Sequence, residues 1–279
     1  MALTPPLHEA DATIVSAGLI QGYRENAKVI PLASQEYTGE VSGKGSTVKV
    51  VRLNHVELSD YAPGTPIDAS SISDTSVLLT LDQAKYFNLM IDDTWAVSGA
   101  GNYLASLAAD ASVTIAHQLD LAVANTAFTG AGVTDGLGTS GSGLDVSSAG
   151  EAYTYLLKMR TSLADAGPDR TAVIPSDYVA LLLEDPRFVA ANNEVVRNGV
   201  IGRAAGFNII ESNVLADATS ESKIFAVAHD GAVALAVSIN SVERYRPQDQ
   251  FSDAMKGLVV YGSQVIRPEA VAAGVVSTG

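Results

Sequence analysis

The sequence predicts an α+β fold in which a long helix backs an antiparallel sheet and a compact α/β lobe is set into the chain between the strands of that sheet. Three observations carry this. A helical apolar period runs from residue 102 with no Pro or Gly before Gly130, residues 171–237 alternate short strands with short helices, and residues 241–246 and 257–267 alternate like an antiparallel pair.

The 279 residues, 47% of them apolar, suffice for one large domain or two modest ones. Cysteine is absent, so the fold is expected to hold without disulfides or thiolate metal sites, which fits a reducing cytoplasm. The opening residues lack a basic stretch followed by an unbroken apolar one and read as a mature N-terminus. The longest apolar tract, residues 224–239, is interrupted by His229 and Asp230; no segment can cross a bilayer without burying charge, so the chain is expected to be soluble with no membrane partner. Thirty-one acidic residues against 17 basic leave a net charge of −14, a field that repels nucleic acid and disfavours sequence-specific DNA recognition.

Along the chain, Asp11 can cap a short amphipathic helix with Ile14, Val15, Leu19, Ile20 and Tyr23 at helical spacing, bracketed by Pro5, Pro6 and Pro31. From residue 36 to 53, TGEV and STVKVVRL read as two short strands joined by a turn at Gly43 and Gly45. Residues 57–76 are polar, punctuated by Pro63, Gly64 and Pro66, with only Leu58, Tyr61, Ile67 and Ile72 as large apolar anchors. That is too little to fold on itself, and a structureless loop of this length is improbable inside a compact domain. Residues 36–76 are therefore read as an extended arm ordered by a neighbouring subunit; an ordinary surface loop is the other reading the residues allow.

The segment VLLTLDQAKYFNLMI has strand composition, and residues 77–81 are expected to pair with the C-terminal strands under the long helix. That helix places Leu104, Leu107, Ala108, Ala111, Ile115, Leu119 and Ala122 on one face, and its alanines imply close packing. The glycine-dense run 130–143 reads as a mobile connection. Within it Gly136, Gly138 and Gly141 match G-x-G-x-x-G, but no strand precedes them, so a linker explains them better than a dinucleotide site. Ser147 or Ser148 caps a helix, EAYTYLLKMRTSLADA; RTAVI is a strand; Pro175 and Ser176 open the helix SDYVALLLED. Strands are expected at 207–210 and 224–228, and a short Ala-rich helix at 231–237.

Chemistry-bearing patterns are absent. His8, His55, His117 and His229 are scattered without metal-ligand spacing, and the adjacent Asp92 and Asp93 point apart and read as the cap region before the long helix. There is no nucleophile elbow, P-loop or zinc signature. No catalytic, cofactor-binding or metal residue is expected, and Trp95, Tyr245 and Tyr261 read as core aromatics.

Three stretches in order, from about Gln35 to Val271, carry a resemblance. KGSTVKV, followed by LDQAKYF and Asp92, resembles the extended loop and first sheet strands of the major capsid (coat) proteins of tailed bacteriophages. PSDYVALLLEDPRF with NGVIGRAAGFNIIESNVL is similar to the middle of their axial domain, and ERYRPQDQFSDAMKGLVVYGSQVIRPEAV to their last peripheral-domain strands. The resemblance implies the tailed-phage capsid fold: an N-terminal arm (1–35), an extended β-hairpin loop (36–76), a peripheral domain (77–146 and 241–279) with its spine helix at about 100–128, and an axial α/β domain (147–240). It also implies a function, self-assembly into pentamers and hexamers of an icosahedral head enclosing double-stranded DNA. The partners would be many copies of the chain itself, a separate scaffolding protein, a portal, and packaged DNA bound without sequence specificity. The protein would be located in the virion after assembly in the host cytoplasm. An acidic wall suits that role, since one that held DNA tightly would hinder packing and release.

On this resemblance the extended loop lies across the peripheral domain of an adjacent subunit and the N-terminal arm reaches another neighbour. Arg52, Glu57 and Asp60 on the loop, with Arg244, Arg246 and Lys256 on the peripheral domain, are the candidate inter-subunit contacts; a solvated sheet edge is the alternative for Arg244 and Arg246. Some shells of this family are locked by isopeptide bonds between a loop lysine and a neighbour's asparagine. Lys44 and Lys49 are placed for that, but residues 243–267 contain no asparagine, so no cross-link is expected. Two other functions remain: an encapsulin-type compartment shell, and an α/β enzyme with a site drawn from Asp169, Asp177 and His229. A tail protein would need a tube-like β architecture that the helix content does not support.

Overall fold

Two long strands near the C-terminus set the frame. β10 (Val233–Tyr245) and β11 (Ser252–Val265) pair antiparallel; β11 takes β4 (Gln83–Asp92) on its other edge and β10 takes the short β1 (Ala33–Ser34) in parallel, giving the order β1-β10-β11-β4. This structure, a computed structural model, describes residues 27–39, 43–53, 74–92, 103–163, 166–167, 169–186, 202–215, 221–228 and 231–277. The expected helix at 11–23, most of the loop at 57–76, and Asp93 and Trp95 lie outside the described residues.

Across one face of this sheet lies the spine helix α1 (Tyr103–Thr129), about 40 Å long at 1.5 Å per residue. Ala116, Val123, Ala124 and Ala127 are buried along it, small side chains that let the helix settle closely onto Val259, Tyr261 and Val265 of β11. A hydroxyl contact of 2.6 Å between Thr126 and Ser263 ties helix to strand.

A second sheet has the order β5-β12-β9-β6-β8-β7, built from β5 (Leu144–Asp145), β12 (Val271–Ser277), β9 (Glu221–Val227), β6 (Thr171–Ile174), β8 (Phe207–Glu211) and β7 (Arg203–Ala204). Its central strands are covered on both faces, which explains their nearly continuous apolar sequence. Val173, Phe225, Val227, Val271 and Ala273 join the cluster around the spine helix. Ala172, Ile174, Ile224, Ala226 and Val276 face the cluster built on α2 (Ala149–Ser162) and α3 (Ser176–Glu184). The C-terminal strand thus enters this second sheet, and one helix binds the two sheets into one body. Helix α2 opens with a capping box in which Ser148 and Glu151 each bond the other's backbone N–H, and it ends at Ser162 rather than near Gly167.

Four expectations are corrected. Residues 231–237 are not a helix: Val233 already begins β10, and 232–237 are entirely buried. Val233, Leu235 and Val237 face the spine helix while Ala234 and Ala236 lie under the β2–β3 ribbon described next, so an Ala-rich run buried on both faces has no period by which to tell strand from helix. The strand pairing with β11 is 83–92, not 77–81. Residues 36–39 form a 3-10 turn rather than a strand, and β2 (Thr47–Leu53) pairs instead with β3 (Asp74–Thr80) as a two-stranded ribbon. The glycine-dense run is pinned rather than mobile: Gly132 N–H bonds Pro268 O, Val133 N–H bonds Val271 O, and Ala273 N–H bonds Val133 O. Gly136, Gly138 and Gly141 hold φ of 68°, 82° and 80°, so these glycines serve turns, of which Gly138 lies against Val275 of β12.

The root of the ribbon packs on the sheet face opposite the spine helix, where Val50, Leu79 and Leu81 are buried against Ala234, Ala236 and Val260. Gly262 permits the approach, because a Cβ there would sit 2.0 Å from Thr80 O and 2.8 Å from its carbonyl carbon. Gly262→Ala is therefore expected to lower unfolding free energy by about 1–3 kcal/mol, the usual cost of overpacking, read by urea denaturation of the purified chain.

Candidate functional site

The ribbon divides its residues by pleat. Val48 pairs with Leu79 and Val50 with Val77 on the face toward the body, whereas Lys49 with Leu78 and Val51 with Ser76 occupy the outer face. Val51 and Leu78 are 53% and 62% exposed, so the ribbon presents apolar groups to its surroundings at right spacing for a strand contact.

Beside the ribbon root, the sheet face opposite the spine helix exposes large apolar side chains along β4, while Ala254 and Ser252 at the far end of β11 are buried. On that face Tyr86 is 81% exposed and Met90 53%, and Leu258, paired with Tyr86, is partly exposed; Phe251, 83% exposed, lies beyond the strand end in the connection between β10 and β11. Tyr86 and Met90 lie on one pleat face of β4, and Phe87 and Leu89 on the other pack toward Met255, Ala111 and Ile115 under the spine helix. β4 is also the last strand of its sheet, so one of its edges has no strand partner among the described residues. A ten-residue edge strand with apolar groups on both faces is a template for association.

A polar knot interrupts this strip, because Asn88 and its partner Lys256 lie between Tyr86 and Met90 on the same face. Register places Glu243 opposite Lys256, whose ammonium lies 3.0 Å from the Glu243 carboxylate and 5.4 Å from the centre of the Tyr245 ring. Asn88 Nδ2 donates to the Tyr245 hydroxyl at 2.9 Å. A one-residue irregularity in β10 between Asn240 and Glu243 brings this about, because it switches the pleat so that Glu243 and Tyr245 come onto the face of Lys256 and Asn88.

The sequence-derived contact candidates fall as follows. Arg52 donates from Nη1 to Glu269 Oε2 at 3.0 Å and to Ile266 O at 3.4 Å, fastening the ribbon to the body. Lys256 belongs to the polar knot, Arg244 is in register with Met255, and Arg246 is exposed at the start of the connection that carries Phe251. Glu57 and Asp60 lie outside the described residues. Lys44 and Lys49 are both exposed. The structure therefore brings Lys256 to the bare strip, sets Arg52 at the ribbon root, and gives both an intrachain partner.

Sequence reasoning missed two features. The first is the strip itself, whose signal was the run Tyr86-Phe87-Asn88-Leu89-Met90, apolar on both strand faces. The second is Asp120, buried in the spine helix, whose carboxylate accepts three successive backbone N–H groups: Lys28 to Oδ2 at 2.8 Å, Val29 and Ile30 to Oδ1 at 2.9 and 2.8 Å. An acidic residue beside the buried Ala116, Leu119 and Val123 was the available clue.

The interior offers no comparable chemistry. Tyr155 and Tyr178 meet edge to face with centroids 6.3 Å apart, their hydroxyls donating to Leu137 O and Ala152 O. Burial pushes both phenols well above the ordinary tyrosine range, so they stay neutral donors in a packing role. Asp169 precedes β6 and Asp177 sits in the first turn of α3, while His229 lies outside the described residues. Among the described residues no group of three or more His, Asp or Glu is placed to hold a metal ion, and no helix is long and apolar enough to cross a membrane.

A ribbon rooted on a spine-helix sheet, joined to a mixed-sheet lobe, defines an α+β protein of the capsid class. A family model described as phage capsid protein matches residues 77–274, and the chain belongs to that family. Among solved structures it is similar to one from Mycobacterium phage Che8, 28% identical, with TM-score 0.70 over 87% of this chain and 89% of that one. It shares its fold with the capsid structure of the cyanophage P-SCSP1u (15% identity, TM-score 0.64, 85% of each chain). It also shares it with a virus-like particle from Pyrococcus furiosus (14% identity, TM-score 0.61, 95% of this chain and 98% of that one). None of the curated proteins matches it in sequence. These findings bear out the resemblance to tailed-phage major capsid proteins and the α+β fold class. The family is structural rather than enzymatic, and membership makes the chain a virion component that works in assemblies of many copies.

Proposed function

We propose that the chain forms the pentamers and hexamers of an icosahedral phage head enclosing double-stranded DNA. The observation that carries this reading is the presence of two sets of exposed apolar side chains on one subunit, the ribbon's outer face at Val51 and Leu78 and the β4 side at Tyr86 and Met90 with Phe251 beyond the strand end. Contact between these two different surfaces would be head-to-tail, and such contacts close into rings when the rotation permits. Residues 36–76 would act as the extended loop over a neighbour, the spine-helix sheet as the peripheral domain, and the α2/α3 lobe as the axial domain around the ring centre. Assembly would use a separate scaffolding protein and a portal, in the host cytoplasm.

A protein compartment shell is the second reading, supported by the fold shared with the virus-like particle. Particles isolated from infected cells decide between them. DNA protected from nuclease inside the shell supports the phage head; packaged protein with no protected DNA supports the compartment and overturns it.

Arg52 and Arg244 are proposed to contribute to the inter-subunit contact as well. The Arg52–Glu269 pair is at the surface and contributes at most about 1 kcal/mol to the fold. Arg52→Glu and Arg244→Glu should each therefore lower particle yield while the subunit remains folded; unchanged yield in both would remove these residues from the interface. No isopeptide cross-link is proposed, so mature particles should run as single chains on a denaturing gel, and a ladder of multimers would contradict this.

A further inference from the structure

We propose that a basic corner of the six-stranded sheet's lobe, built on Arg160, Arg170 and Arg203, docks against the acidic corner of a second copy of this chain, built on Asp145, Glu151 and Glu221. The inference rests on the proposed ring of subunits and names a contact that would set the ring's direction.

Sheet register keeps the two corners apart within one subunit. Arg203 of β7 is level with Asn208 of β8, Thr171 of β6 and Val227 of β9, at one end of the strands. Asp145 of β5 is level with Ser277 of β12 and Glu221 of β9, at the other end. Strands β7 and β5 are also the two outermost strands of the sheet. Five strand spacings of about 4.8 Å and six residues at about 3.3 Å therefore separate the corners, roughly 30 Å along the diagonal. Helix α2 runs between them, with Glu151 in its first turn and Arg160 in its last.

Local structure positions the charges at each corner. Ala205 and Gly206 hold φ of 51° and 85° in the two-residue turn between β7 and β8. A Cβ on Gly206 would come 3.0 Å from the guanidinium carbon of Arg160, so the glycine lets that side chain lie against the turn. Arg203 Nε donates to Asn208 Oδ1 at 2.7 Å, and the Asn208 backbone N–H donates to Arg170 O, which brings the third arginine alongside, next to the exposed Asp169. At the acidic corner both Glu221 oxygens accept from Gly141 N–H, at 3.1 and 3.0 Å, and Asp145 accepts from Ser147 N–H at 3.0 Å. These backbone donors orient the carboxylates and leave their charge. Among the described residues neither Arg160 nor any of the three carboxylates makes an ion pair.

The occupant follows from charge complementarity. Charges are screened beyond about 8 Å at physiological ionic strength, so corners roughly 30 Å apart cannot satisfy each other inside one subunit. A two-fold contact through either corner would set like charges against each other. A head-to-tail contact sets three arginines against three carboxylates, and between copies that each carry a net charge of −14 it supplies attraction in one orientation.

Two measurements on the full chain test this, both under conditions that assemble the unmodified protein. Arg160→Glu with Arg203→Glu, and separately Asp145→Lys with Glu221→Lys, should each lower the yield of rings or shells about tenfold or more, and combining all four substitutions should restore most of it. In the second, Arg160→Lys keeps the charge and supplies an amine. A carbodiimide, which joins an amine only to a carboxylate in contact with it, should link position 160 to Asp145, Glu151 or Glu221 of another subunit, read by peptide mass spectrometry on mixed isotope-labelled chains. Unchanged yield in both paired variants, or links from position 160 only to other carboxylates or only within a chain, would overturn the proposal while leaving the ring intact. An unmodified chain that forms neither rings nor shells would overturn the ring itself, and this contact with it.

Discussion

Replacing Tyr86 and Phe251 by aspartate is expected to abolish closed particles while leaving the subunit folded. Both side chains are more than four-fifths exposed in the subunit, and substitutions at such positions usually change stability by no more than about 0.5 kcal/mol. In an assembled shell the same side chains would be buried against a neighbour's Val51 and Leu78. Burying a carboxylate without a partner costs far more than the contact it replaces, and each shell repeats that cost at every subunit. Thermal unfolding of the purified subunit and particle counts by electron microscopy are the paired readouts. Loss of particles with an unshifted Tm supports the strip as the interface; normal particle numbers would show that the strip faces solvent.

Asp120→Ala has the largest expected effect on stability, a loss of about 3–5 kcal/mol. Removing the carboxylate leaves three N–H groups at Lys28, Val29 and Ile30 without their acceptor, those of Val29 and Ile30 in buried bonds. Asp120→Asn separates the contributions, because the amide oxygen can still serve Val29 and Ile30 while the amide nitrogen cannot accept from Lys28. It should recover more than half of the loss. Urea denaturation of the three proteins reads this order directly, and equal stability of the alanine and aspartate forms would refute the anchoring role.

The spine helix was legible because no Pro or Gly interrupts it, although its buried stripe runs through Ala116, Leu119, Val123, Ala124 and Ala127 and shares only Leu119 with the face read from the sequence; the α2 and α3 helices were legible because Ser148 and Pro175 mark their starts. The strands at 207–211 and 221–227 were legible from their apolar runs. What the sequence concealed has a common cause: pairing partners are set by contacts distant along the chain. Nothing local tells that Leu81 ends the ribbon and Gln83 starts the sheet strand, since VLLTLDQAKYF is strand-like throughout. Nothing local tells that Ala234 and Ala236 are small because Leu79 and Leu81 lie on them. The glycine-dense run looked mobile because its hydrogen-bond partners, Pro268 and Val271, arrive more than a hundred residues later.

The candidate interface was legible only in its charges. Arg52 and Lys256 stood out in a chain with 17 basic residues, but both have intrachain acidic partners, Glu269 and Glu243. The apolar strip was less visible, since exposure cannot be read from residue type. Tyr86 and Tyr261 are both tyrosines on strands of one sheet, one exposed and the other buried under the spine helix. The pleat decides which is which, and the pleat depends on register.

The central claim, that this subunit builds closed shells, is tested most directly by negative-stain electron microscopy of the purified chain, alone and co-expressed with the proposed scaffolding and portal partners. Closed icosahedral shells, or rings of five and six subunits, are the predicted result. A monodisperse monomer or dimer under both conditions would contradict it.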